Sequence, residues 1–472
     1  MSRAKDLVFN TAVIGIGNFG TKILSFLLVP LYTSILSTSE YGQYDLTVTI
    51  VAFCVPFITC LMEESMFRFL IDCKNEEEKR NVITQALTII CFGVLLFAAI
   101  FFFVCCFANF ENKLFFALLV ISDVAIAIRN AYYRGTGQIK RYALINFISS
   151  VVALLLNIVL IAIVKMGIIG LFISQTAVGV FSLIIIAPII RKYVSPERIS
   201  AKNIKSMMKY SIPLIPNSIC WSVINTSDRL VISSQLGAGA NGVYSIANKF
   251  PNAVDTFYGF FYVAWKESSA RAQGDDDREA FYNSVYGALR RILFAVIVGI
   301  LGLLPFVFNI LVKNEFADAY KFIPVLIIAI YFANISGFYG GIFSAKKDTK
   351  IMGITTVVAA CLNIAVDLAL VGTIGIWAAA ISTLASTFVM CIWRRMAIRK
   401  YVLLKEHYAE RLVEIILLGC LVAAYYIGTP LIQAIILAIV CVYCVIRNID
   451  IIKIFAKKVK GIRRKSEHKS NY

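Results

Sequence analysis

The chain has few charged residues. Asp, Glu, Lys and Arg make up 16% of its 472 residues, whereas they make up about a quarter of a typical soluble domain. Hydrophobic residues make up 59%, and the mean hydropathy is +0.79. This composition excludes an ordinary soluble globular protein and indicates a membrane protein.

Histidine is scarce, and the cysteines are not placed where they could form a metal site or disulfides. The only histidines are His407 and His468, and a zinc site needs about four converging nitrogen or sulfur ligands. Most of the twelve cysteines lie within apolar segments, where cysteine behaves as a small apolar residue. The short connections with little basic charge contain no cysteine. We therefore predict no metal site and no disulfide framework.

Nucleotide-binding motifs are absent or out of context. No GxxxxGK[ST] segment is present, which excludes ATP hydrolysis by a P-loop. "GIGNFG" (15–20) matches GxGxxG, but no strand precedes it and no acidic residue follows at the expected distance. The net charge of +18 lies largely in connections and in the C-terminal tail, so it predicts attraction to anionic lipid rather than to nucleic acid.

Fourteen apolar segments are long enough to be membrane helices, since about 20 helical residues span a bilayer. The first has no A-x-A-like cleavage site, so we expect a retained helix rather than a signal peptide. We predict an all-α polytopic membrane protein with about 14 transmembrane helices, at 8–36, 44–70, 82–107, 114–134, 143–164, 168–190, 209–235, 242–265, 287–312, 319–344, 350–371, 375–395, 411–428 and 430–447.

The connections between these segments alternate in charge. One set is strongly basic and includes "RGTGQIKR", "RKYVSPERISAKNIK" and the tail "FAKKVKGIRRKSEHK". The other set carries Lys113, Lys165 and Lys313 and no arginine. Because cytoplasmic loops carry the excess of Lys and Arg, we predict that both termini and the basic connections are cytoplasmic.

Two pairs of segments indicate an internal repeat. "SSVVALLLNI" (149–158) matches "TTVVAACLNI" (355–364), and "LSTSEYGQYDL" (36–46) is echoed by "LGAGANGVYSI" (236–246). The two offsets are nearly equal, and each pair falls at an equivalent place in the predicted topology. Six helices per half is an even number, so the two halves insert in parallel, as in transporters with a cavity between halves. We predict two six-helix lobes, 1–200 and 201–400, followed by two helices and a basic tail, 401–472.

Several ionisable residues lie within the predicted helices, where exposure to lipid would cost each at least ~2.5–3.5 kcal/mol. We therefore expect them to face the interior or a water-filled cavity. Most belong to the first two helices of each half, which supports a shared polar cavity. They are Lys22, Glu63, Glu64, Arg68, Asp123, Arg129, Asp228, Arg229, Lys249 and Asp255.

The adjacent pair in "VINTSDRLVI" (223–232) suggests what such a cavity binds. Asp228 and Arg229 point about 100° apart on a helix and cannot fully satisfy each other. We expect each to find a partner on another helix, or a ligand. Lys22 and Lys249 have no acidic residue within a helical turn. Cationic cavity residues predict an anionic substrate, and arginine favours bidentate contact with phosphate.

Some of these residues have structural alternatives. Glu64 and Arg68 are four residues apart and can pair on one helix face. Arg68 and Arg129 are near enough to a predicted cytoplasmic end to extend their charge to the interface. Predicted substrate-binding residues are Lys22, Arg68, Arg229 and Lys249. Predicted ion-coupling or structural partners are Glu64, Asp228 and Asp255. No catalytic residue, metal or cofactor is predicted, and the candidate coupling ions are H⁺ and Na⁺.

Three segments resemble a known family. They are "NFGTKILSFLLVPLYTSILSTSEYGQYDL" (18–46), "YRGTGQIKRYALIN" (133–146) and "SDRLVISSQLGAGANGVYSIANKF" (227–250). They are similar to the oligosaccharide flippases of bacterial polysaccharide synthesis. That family lies within the multidrug/oligosaccharidyl-lipid/polysaccharide exporter superfamily, with the MATE exporters and the lipid II flippase. The resemblance extends over essentially the whole chain and implies a MATE-like fold.

The resemblance implies a secondary-type transporter rather than an enzyme. Its substrate would be an undecaprenyl-diphosphate-linked oligosaccharide repeat unit of an O-antigen or capsule, the polysaccharides of lipopolysaccharide and related surface coats. Alternating access would carry it to the outer leaflet of the bacterial cytoplasmic membrane. The diphosphate would meet cations such as Lys22, Arg229 and Lys249. Implied partners are this lipid-linked oligosaccharide, membrane lipids and the polysaccharide polymerase machinery.

Three other functions fit a polytopic chain. A MATE-like exporter of amphipathic cations would favour a cavity rich in carboxylates, whereas these helices mix both signs with prominent Lys and Arg. A membrane glycan polymerase or ligase usually needs a substantial external loop, whereas every predicted external connection has about seven residues or fewer. A lipid II flippase is the third alternative, although the segments quoted above favour the oligosaccharide subgroup.

Overall fold

A computed structural model describes residues 26–107, 112–272, 276–346, 348–451 and 453. Within these ranges the chain is helical and contains no β-strand. Helix α6 continues as a π-helical segment, Ile158–Ile163, and 3₁₀ turns cover Pro196–Arg198, Ile212–Leu214 and Asn314–Phe322. The α-helices are α1 Val29–Ile35, α2 Thr38–Thr59, α3 Met62–Asp72, α4 Glu76–Phe107, α5 Lys113–Gly135, α6 Ile139–Asn157, α7 Gly167–Tyr193, α8 Ala201–Ser211, α9 Ile215–Leu236, α10 Ala238–Arg271, α11 Arg278–Leu311, α12 Ile323–Ala345, α13 Thr349–Ile374, α14 Trp377–Ile398, α15 Tyr408–Ile427 and α16 Pro430–Arg447.

Ten helices of the described residues are long and apolar enough to cross a membrane. Every predicted span from 44–70 onward coincides with helix in these ranges. The spans predicted at 209–235, 242–265 and 411–428 are helical but are not among those ten. The first predicted span, 8–36, lies mostly outside the described residues. The prediction of an all-α polytopic membrane protein is confirmed.

The second predicted span is interrupted. Pro56 lies near the end of α2, and Cys60 and Leu61 then adopt left-handed backbone angles, with φ of 50° and 52°. Large non-glycine residues rarely adopt this conformation. The break places Glu63 and Glu64 in the first turn of α3, where the helix N-terminus stabilises negative charge.

Two long helices leave most of their apolar side chains uncovered by protein. In the most apolar 18-residue window of α4, and in that of α16, only 6% of the residues are buried. The exposed side chains include Phe102 at 73% and Ile446 at 63%. Soluble monomers rarely expose apolar faces of this extent, so we expect these helices to be in contact with lipid.

The described residues pack into two compact units. The first unit is the chain up to Lys249 with Val312–Ala319 and Ala360–Ser382. The second unit is Phe250–Leu311, Tyr320–Ala359 and the chain from Thr383 onward. The lobes expected from the repeat, 1–200, 201–400 and 401–472, stay a prediction.

Small residues allow close helix packing within the first unit. Its apolar core includes Met62, Val120 and Phe172. Helices α5 and α7 meet where Gly179 faces Ser122, and a Cβ atom added at Gly179 would lie 2.1 Å from the Ser122 Cβ. Small residues at such contacts let backbones approach closely in membrane proteins.

The start of α10 crosses α2 through a reciprocal pair of glycines, which we call the glycine crossing. A Cβ at Gly42 would lie 1.8 Å from the Ala238 carbonyl oxygen, and a Cβ at Gly242 would lie 2.0 Å from the Thr38 carbonyl oxygen. The Asn241 side-chain amide donates to the Gly42 carbonyl at 2.8 Å. Gly42 and Gly242 are the equivalent residues of the 36–46 and 236–246 echo. The two copies of this segment therefore contact each other through the same positions.

Aromatic contacts organise the second unit. Trp265 is 2% exposed, stacks on Phe338 with ring centroids 4.3 Å apart, and donates to the Phe338 carbonyl at 2.9 Å. Gly341 leaves room for this indole, because a Cβ there would lie 2.4 Å from its Nε1 atom. These contacts join α10 to α12, which is one of the helices that line the pocket described below.

Candidate functional site

The first unit encloses a polar cavity of about 390 Å³. Residues of α1, α2, α5, α6 and α7 and the early part of α10 line it. The lining combines tyrosine rings, hydroxyls, side-chain amides and two cations, and its described residues include no carboxylate. The polar lining residues are Tyr32, Tyr41, Tyr44, Arg129, Asn130, Asn146, Ser149, Ser150, Asn157, Gln175 and Lys249. We call it the polar cavity.

Arg129 is the buried cation of the polar cavity. It is 1% exposed, and its guanidinium donates to Ser149 at 3.1 Å and to Ser182 at 2.8 Å. It also donates to the side-chain oxygens of Asn130 and Asn146. All of these partners are neutral, and Arg129 forms no ion pair within the described residues. Its charge is thus hydrogen-bonded but not neutralised, which favours a bound anion nearby.

This placement decides between the two alternatives for Arg129. The sequence allowed its side chain to extend toward the membrane interface. In the structure its guanidinium instead points inward, because hydroxyls on α6 and α7 accept its hydrogen bonds. The interfacial alternative is therefore wrong for this residue.

Lys249 supplies the second cation of the polar cavity. Its ammonium nitrogen lies 5.9 Å from the centroid of the Tyr41 ring, a distance compatible with a cation–π interaction. Tyr41 is 1% exposed and is held by aromatic neighbours, including Tyr32 at a centroid distance of 5.6 Å. The structure thus places predicted residue Lys249 in one cavity with Arg129.

Asp228 and Arg229 turn to different helices, as predicted. The Arg229 Nε atom donates to Asp45 Oδ2 at 2.7 Å, and the two side chains are 17% and 14% exposed. Asp228 is 5% exposed and accepts a hydrogen bond from the Tyr244 hydroxyl. Arg229 is not among the residues that line the polar cavity. Its contact with substrate stays a prediction.

Asp228 belongs to a cluster of buried polar groups, which we call the aspartate cluster. It lies near Asp367 on α13, which is 1% exposed. Ser382 donates to Asp367 at 2.6 Å and accepts from Asn363 at 3.1 Å. Ser227 donates to Asn363 at 2.8 Å. Two buried carboxyl groups close to each other repel when both are ionised, so this arrangement favours a shared proton or a bound cation.

Asp367 was not among the residues singled out from the sequence. It follows Asn363 by four residues and therefore lies on the same helix face. Asn363 is the penultimate residue of the repeated "TTVVAACLNI" segment, so the repeat pointed to this face. The missing information was that α13 packs beside Asp228.

The remaining predicted site residues lie elsewhere. Lys22 lies outside the described residues. Arg68 is exposed and pairs with Asp72 at 2.6 Å, rather than with Glu64, which was the structural alternative. The cause is that Arg68 binds the acid one turn later in α3, whereas Glu64 lies in the first turn of that helix. Asp255 lies on α10 within the second unit, with an exposed side chain.

The repeated segments perform the same structural task twice. Ser149 accepts from Arg129, and its equivalent in the second copy, Thr355, accepts from Arg394 at 2.9 Å. Asn157 accepts from a serine on the following helix at 2.8 Å. Its equivalent, Asn363, likewise bonds to a serine on the following helix, Ser382. Equivalent residues thus bond to the same kinds of side chain, although Arg129 lies on the helix before its segment and Arg394 on the helix after its own.

Comparison with known proteins agrees with this fold. A family model described as "Polysaccharide biosynthesis protein" matches residues 7–265, which is over half of the chain. No curated protein matches this chain. The solved structure of the lipid II flippase MurJ in an inward closed conformation has a TM-score of 0.69 at 14% identity, covering 94% of this chain and 100% of that one.

An inward-facing multidrug resistance MATE family transporter of the MOP superfamily has a TM-score of 0.64 at 15% identity, covering 80% of this chain and 95% of that one. A MOP superfamily transporter from Pyrococcus furiosus has a TM-score of 0.52 at 15% identity, covering 83% and 95%. At these identities the likeness shows the fold, which is the polytopic all-helical fold of these transporters.

Proposed function

Because this chain belongs to the polysaccharide biosynthesis protein family, we propose that it is a flippase for a lipid-linked oligosaccharide. The substrate is an undecaprenyl-diphosphate-linked repeat unit, which moves from the cytoplasmic to the outer leaflet of the bacterial cytoplasmic membrane. Movement occurs by alternating access, without a chemical reaction on the substrate. Both termini and the basic connections face the cytoplasm.

The observation that carries this proposal is the charge of the polar cavity. Arg129 is buried against neutral hydrogen-bond partners, and Lys249 lines the same space. A buried charge without a counter-charge is costly, so an anionic ligand group near Arg129 lowers that cost. Arginine also presents several donors to phosphate oxygens at once. A cavity with this lining selects anions and disfavours the cations that a drug exporter carries.

The rest of the lining suits a glycan. Asn146, Asn157 and Gln175 present amide donors and acceptors, and Ser150 presents a hydroxyl. Such groups can exchange hydrogen bonds with sugar hydroxyls, while tyrosine rings offer flat apolar surfaces beside them. The volume of about 390 Å³ is within the roughly 300–1,000 Å³ of small-molecule pockets. It fits part of an oligosaccharide chain rather than a whole one.

The aspartate cluster supplies a site for the coupling ion. Asp228 and Asp367 are both buried, and hydroxyl and amide groups of Ser382, Asn363 and Ser227 surround them. A proton shared between the carboxyls, or Na⁺ bound to these oxygens, would offset their repulsion. We propose that loading and release of this ion bias the transport cycle. This proposal gives Asp228 the ion-coupling role predicted from the sequence, with Asp367 as its partner.

The test uses the native host with and without the gene. Lipid-linked glycans are extracted, identified by mass spectrometry, and assigned to a leaflet with an impermeant glycan-modifying reagent. We expect a full-length diphosphate-linked oligosaccharide to accumulate on the cytoplasmic side when the gene is absent. An unchanged lipid pool, in a host without a second flippase gene, contradicts the proposal.

A matched pair of variants ties the result to the polar cavity. Arg129→Gln removes the buried charge, whereas Arg141→Gln removes an exposed charge that bonds only to Gln138 within the described residues. We expect the first variant to fail to restore the outer-leaflet glycan and the second to restore it fully. If the two variants are equally abundant and restore the glycan equally, the polar cavity is not the substrate-binding site.

Lipid II flipping is the second candidate, because the MurJ structure covers 94% of this chain. Its substrate is also a diphosphate-linked saccharide and would meet the same cations. The two functions differ in the lipid that accumulates. Accumulation of lipid II with an unchanged surface polysaccharide intermediate would favour the second candidate.

A further inference from the structure

The second unit contains a separate pocket of about 470 Å³, which we call the amphipathic pocket. Helices α11, α12, α14 and α15, with the segment between the last two, form it. It shares no residue with the polar cavity. None of the residues predicted from the sequence to bind substrate lines it, so its chemistry is not explained by the proposed transport function.

Polarity in the amphipathic pocket changes along its length. On α14, Phe388 and Ile392 come first and Arg395 follows near the helix end, with Arg399 just beyond it. On α15 the order is reversed, so that Arg411 lies near the helix start and Leu418 lies about two turns deeper. From Phe388 to Ile398, the last residue of α14, the helical rise is about 15 Å. The pocket is therefore basic at one end and apolar along the remainder.

The apolar part is open toward the surroundings of the helices. Phe388 is 44% exposed, Ile392 is 42% exposed and Ile415 is 63% exposed. Because α14 and α15 cross the predicted bilayer, these side chains face acyl chains rather than water. A lipid can thus enter from the side without crossing protein.

The basic end is partly neutralised by acids. Glu406 pairs with Arg395 and with Arg411, both at 3.2 Å. Burial alone would raise the pKa of Glu406, but Arg411 and Arg395 hold that pKa below its usual range, so it remains ionised at neutral pH. Glu414 pairs with Arg290 at 3.6 Å. Arg399 has no ion pair within the described residues, and it gives the basic end a net positive charge.

The position of the basic end matches a phospholipid headgroup. Arg399, Glu406 and Arg411 lie in or beside the connection "RRMAIRKYVLLKEHYAER", which the charge pattern predicts to be cytoplasmic. Tyr408, which lines the same end, is 80% exposed, as expected for an aromatic residue at headgroup depth. Basic pockets between membrane helices on this side bind anionic lipid headgroups in other proteins.

We propose that the amphipathic pocket binds an anionic phospholipid of the leaflet next to the basic connections. The phosphate contacts Arg399, and one acyl chain lies along Phe388, Ile392 and Leu418. Charge complementarity selects an anionic headgroup, and the apolar length selects a lipid over free phosphate. The lipid is a resident ligand of the second unit and is not the transported substrate.

The test measures lipid binding to the purified full-length protein by native mass spectrometry. Dioleoyl phosphatidylglycerol is titrated against dioleoyl phosphatidylethanolamine, which has the same chains and a zwitterionic headgroup. Variants are Arg399→Gln and Arg191→Gln, both of which remove an exposed arginine, the second at the end of α7 in the first unit. We expect one tightly bound phosphatidylglycerol in the wild type and in Arg191→Gln. In Arg399→Gln we expect about fivefold weaker binding, the factor that corresponds to ~1 kcal/mol per basic residue at a membrane surface.

Three results would overturn the proposal. Equal binding of the two lipids would show that the basic end does not select an anionic headgroup. Equal affinity of Arg399→Gln and Arg191→Gln for phosphatidylglycerol would show that the lipid does not bind at the amphipathic pocket. Displacement by inorganic phosphate, or equal binding of dihexanoyl phosphatidylglycerol, would show that the apolar part is unused. Because binding is measured without transport, these results are independent of the proposed flippase activity.

Discussion

Removing one partner of the Asp45–Arg229 ion pair should destabilise the protein. The pair joins α2 to α9 at 2.7 Å, and its side chains are only 17% and 14% exposed. Breaking a fully buried pair costs about 3–5 kcal/mol. Since these side chains keep some exposure, we expect about 2–3 kcal/mol for Asp45→Ala and for Arg229→Ala. The double variant should lose less than the sum of the single variants, with a coupling energy of about 2 kcal/mol.

The assay has two readouts, because Arg229 was predicted from the sequence to contact substrate. Denaturant-induced unfolding in mixed micelles gives the stability of each variant. Complementation of the gene deletion gives transport. If the double variant transports no worse than either single variant, loss of the ion pair accounts for the defect and Arg229 has a structural role. If Arg229→Ala transports worse than Asp45→Ala at equal stability, Arg229 also contacts the substrate.

One result would refute the reasoning from burial. If each single variant unfolds like the wild type and the coupling energy is near zero, the ion pair contributes nothing measurable to the stability of the first unit. A variant of the exposed Arg68–Asp72 pair serves as the control. An exposed ion pair contributes little to stability, so Arg68→Ala should change stability far less than Asp45→Ala or Arg229→Ala.

Three further predictions concern the polar cavity, the aspartate cluster and the glycine crossing. Arg129→Lys keeps the charge but loses several of the guanidinium hydrogen bonds, each worth about 1.5–3 kcal/mol to a charged group; we expect at least tenfold slower appearance of outer-leaflet glycan. Asp367→Asn removes one of two neighbouring carboxyls, so transport into vesicles should no longer respond to an imposed H⁺ or Na⁺ gradient. Gly242→Ala places a Cβ 2.0 Å from the Thr38 carbonyl oxygen and should lower unfolding stability by about 1–3 kcal/mol.

Each of these has a clear contrary result. Wild-type glycan appearance with Arg129→Lys would mean that charge alone suffices. An unchanged gradient response in Asp367→Asn would move the coupling site elsewhere. For Gly242→Ala the control is Gly353→Ala on α13, where an added Cβ meets nothing within 4 Å. Equal stability of the two alanine variants would contradict close packing at the crossing.

The membrane helices were predictable from the sequence because their signal is local. Apolar length and alternating charge in the connections placed helices at every described span. The break at Cys60 and Leu61 was not predictable, since both are bulky residues in an apolar run and neither favours a left-handed backbone. Pro56 was the only residue nearby that indicated an irregular helix.

The candidate site was predicted only in part, because its chemistry depends on which helices are neighbours. The repeat drew attention to Ser149, but nothing in the sequence showed that Arg129 turns toward it. Lys249 was expected to face a cavity, and it lines the polar cavity. Asp367 was missed because it has no ionisable neighbour along its own helix, and its partner Asp228 is on a distant segment of the chain.

The glycine crossing also bears on how a duplicated chain can diverge. Thr38 and Gly42 contact Ala238 and Gly242 reciprocally, like residues on the two-fold axis of a symmetric dimer. In a symmetric dimer, one substitution at such a glycine would alter the contact twice. In this chain the two glycines are separate residues, but each one faces the backbone of the other segment. A side chain larger than glycine is therefore disfavoured at both positions, even where the rest of the two segments differ in sequence.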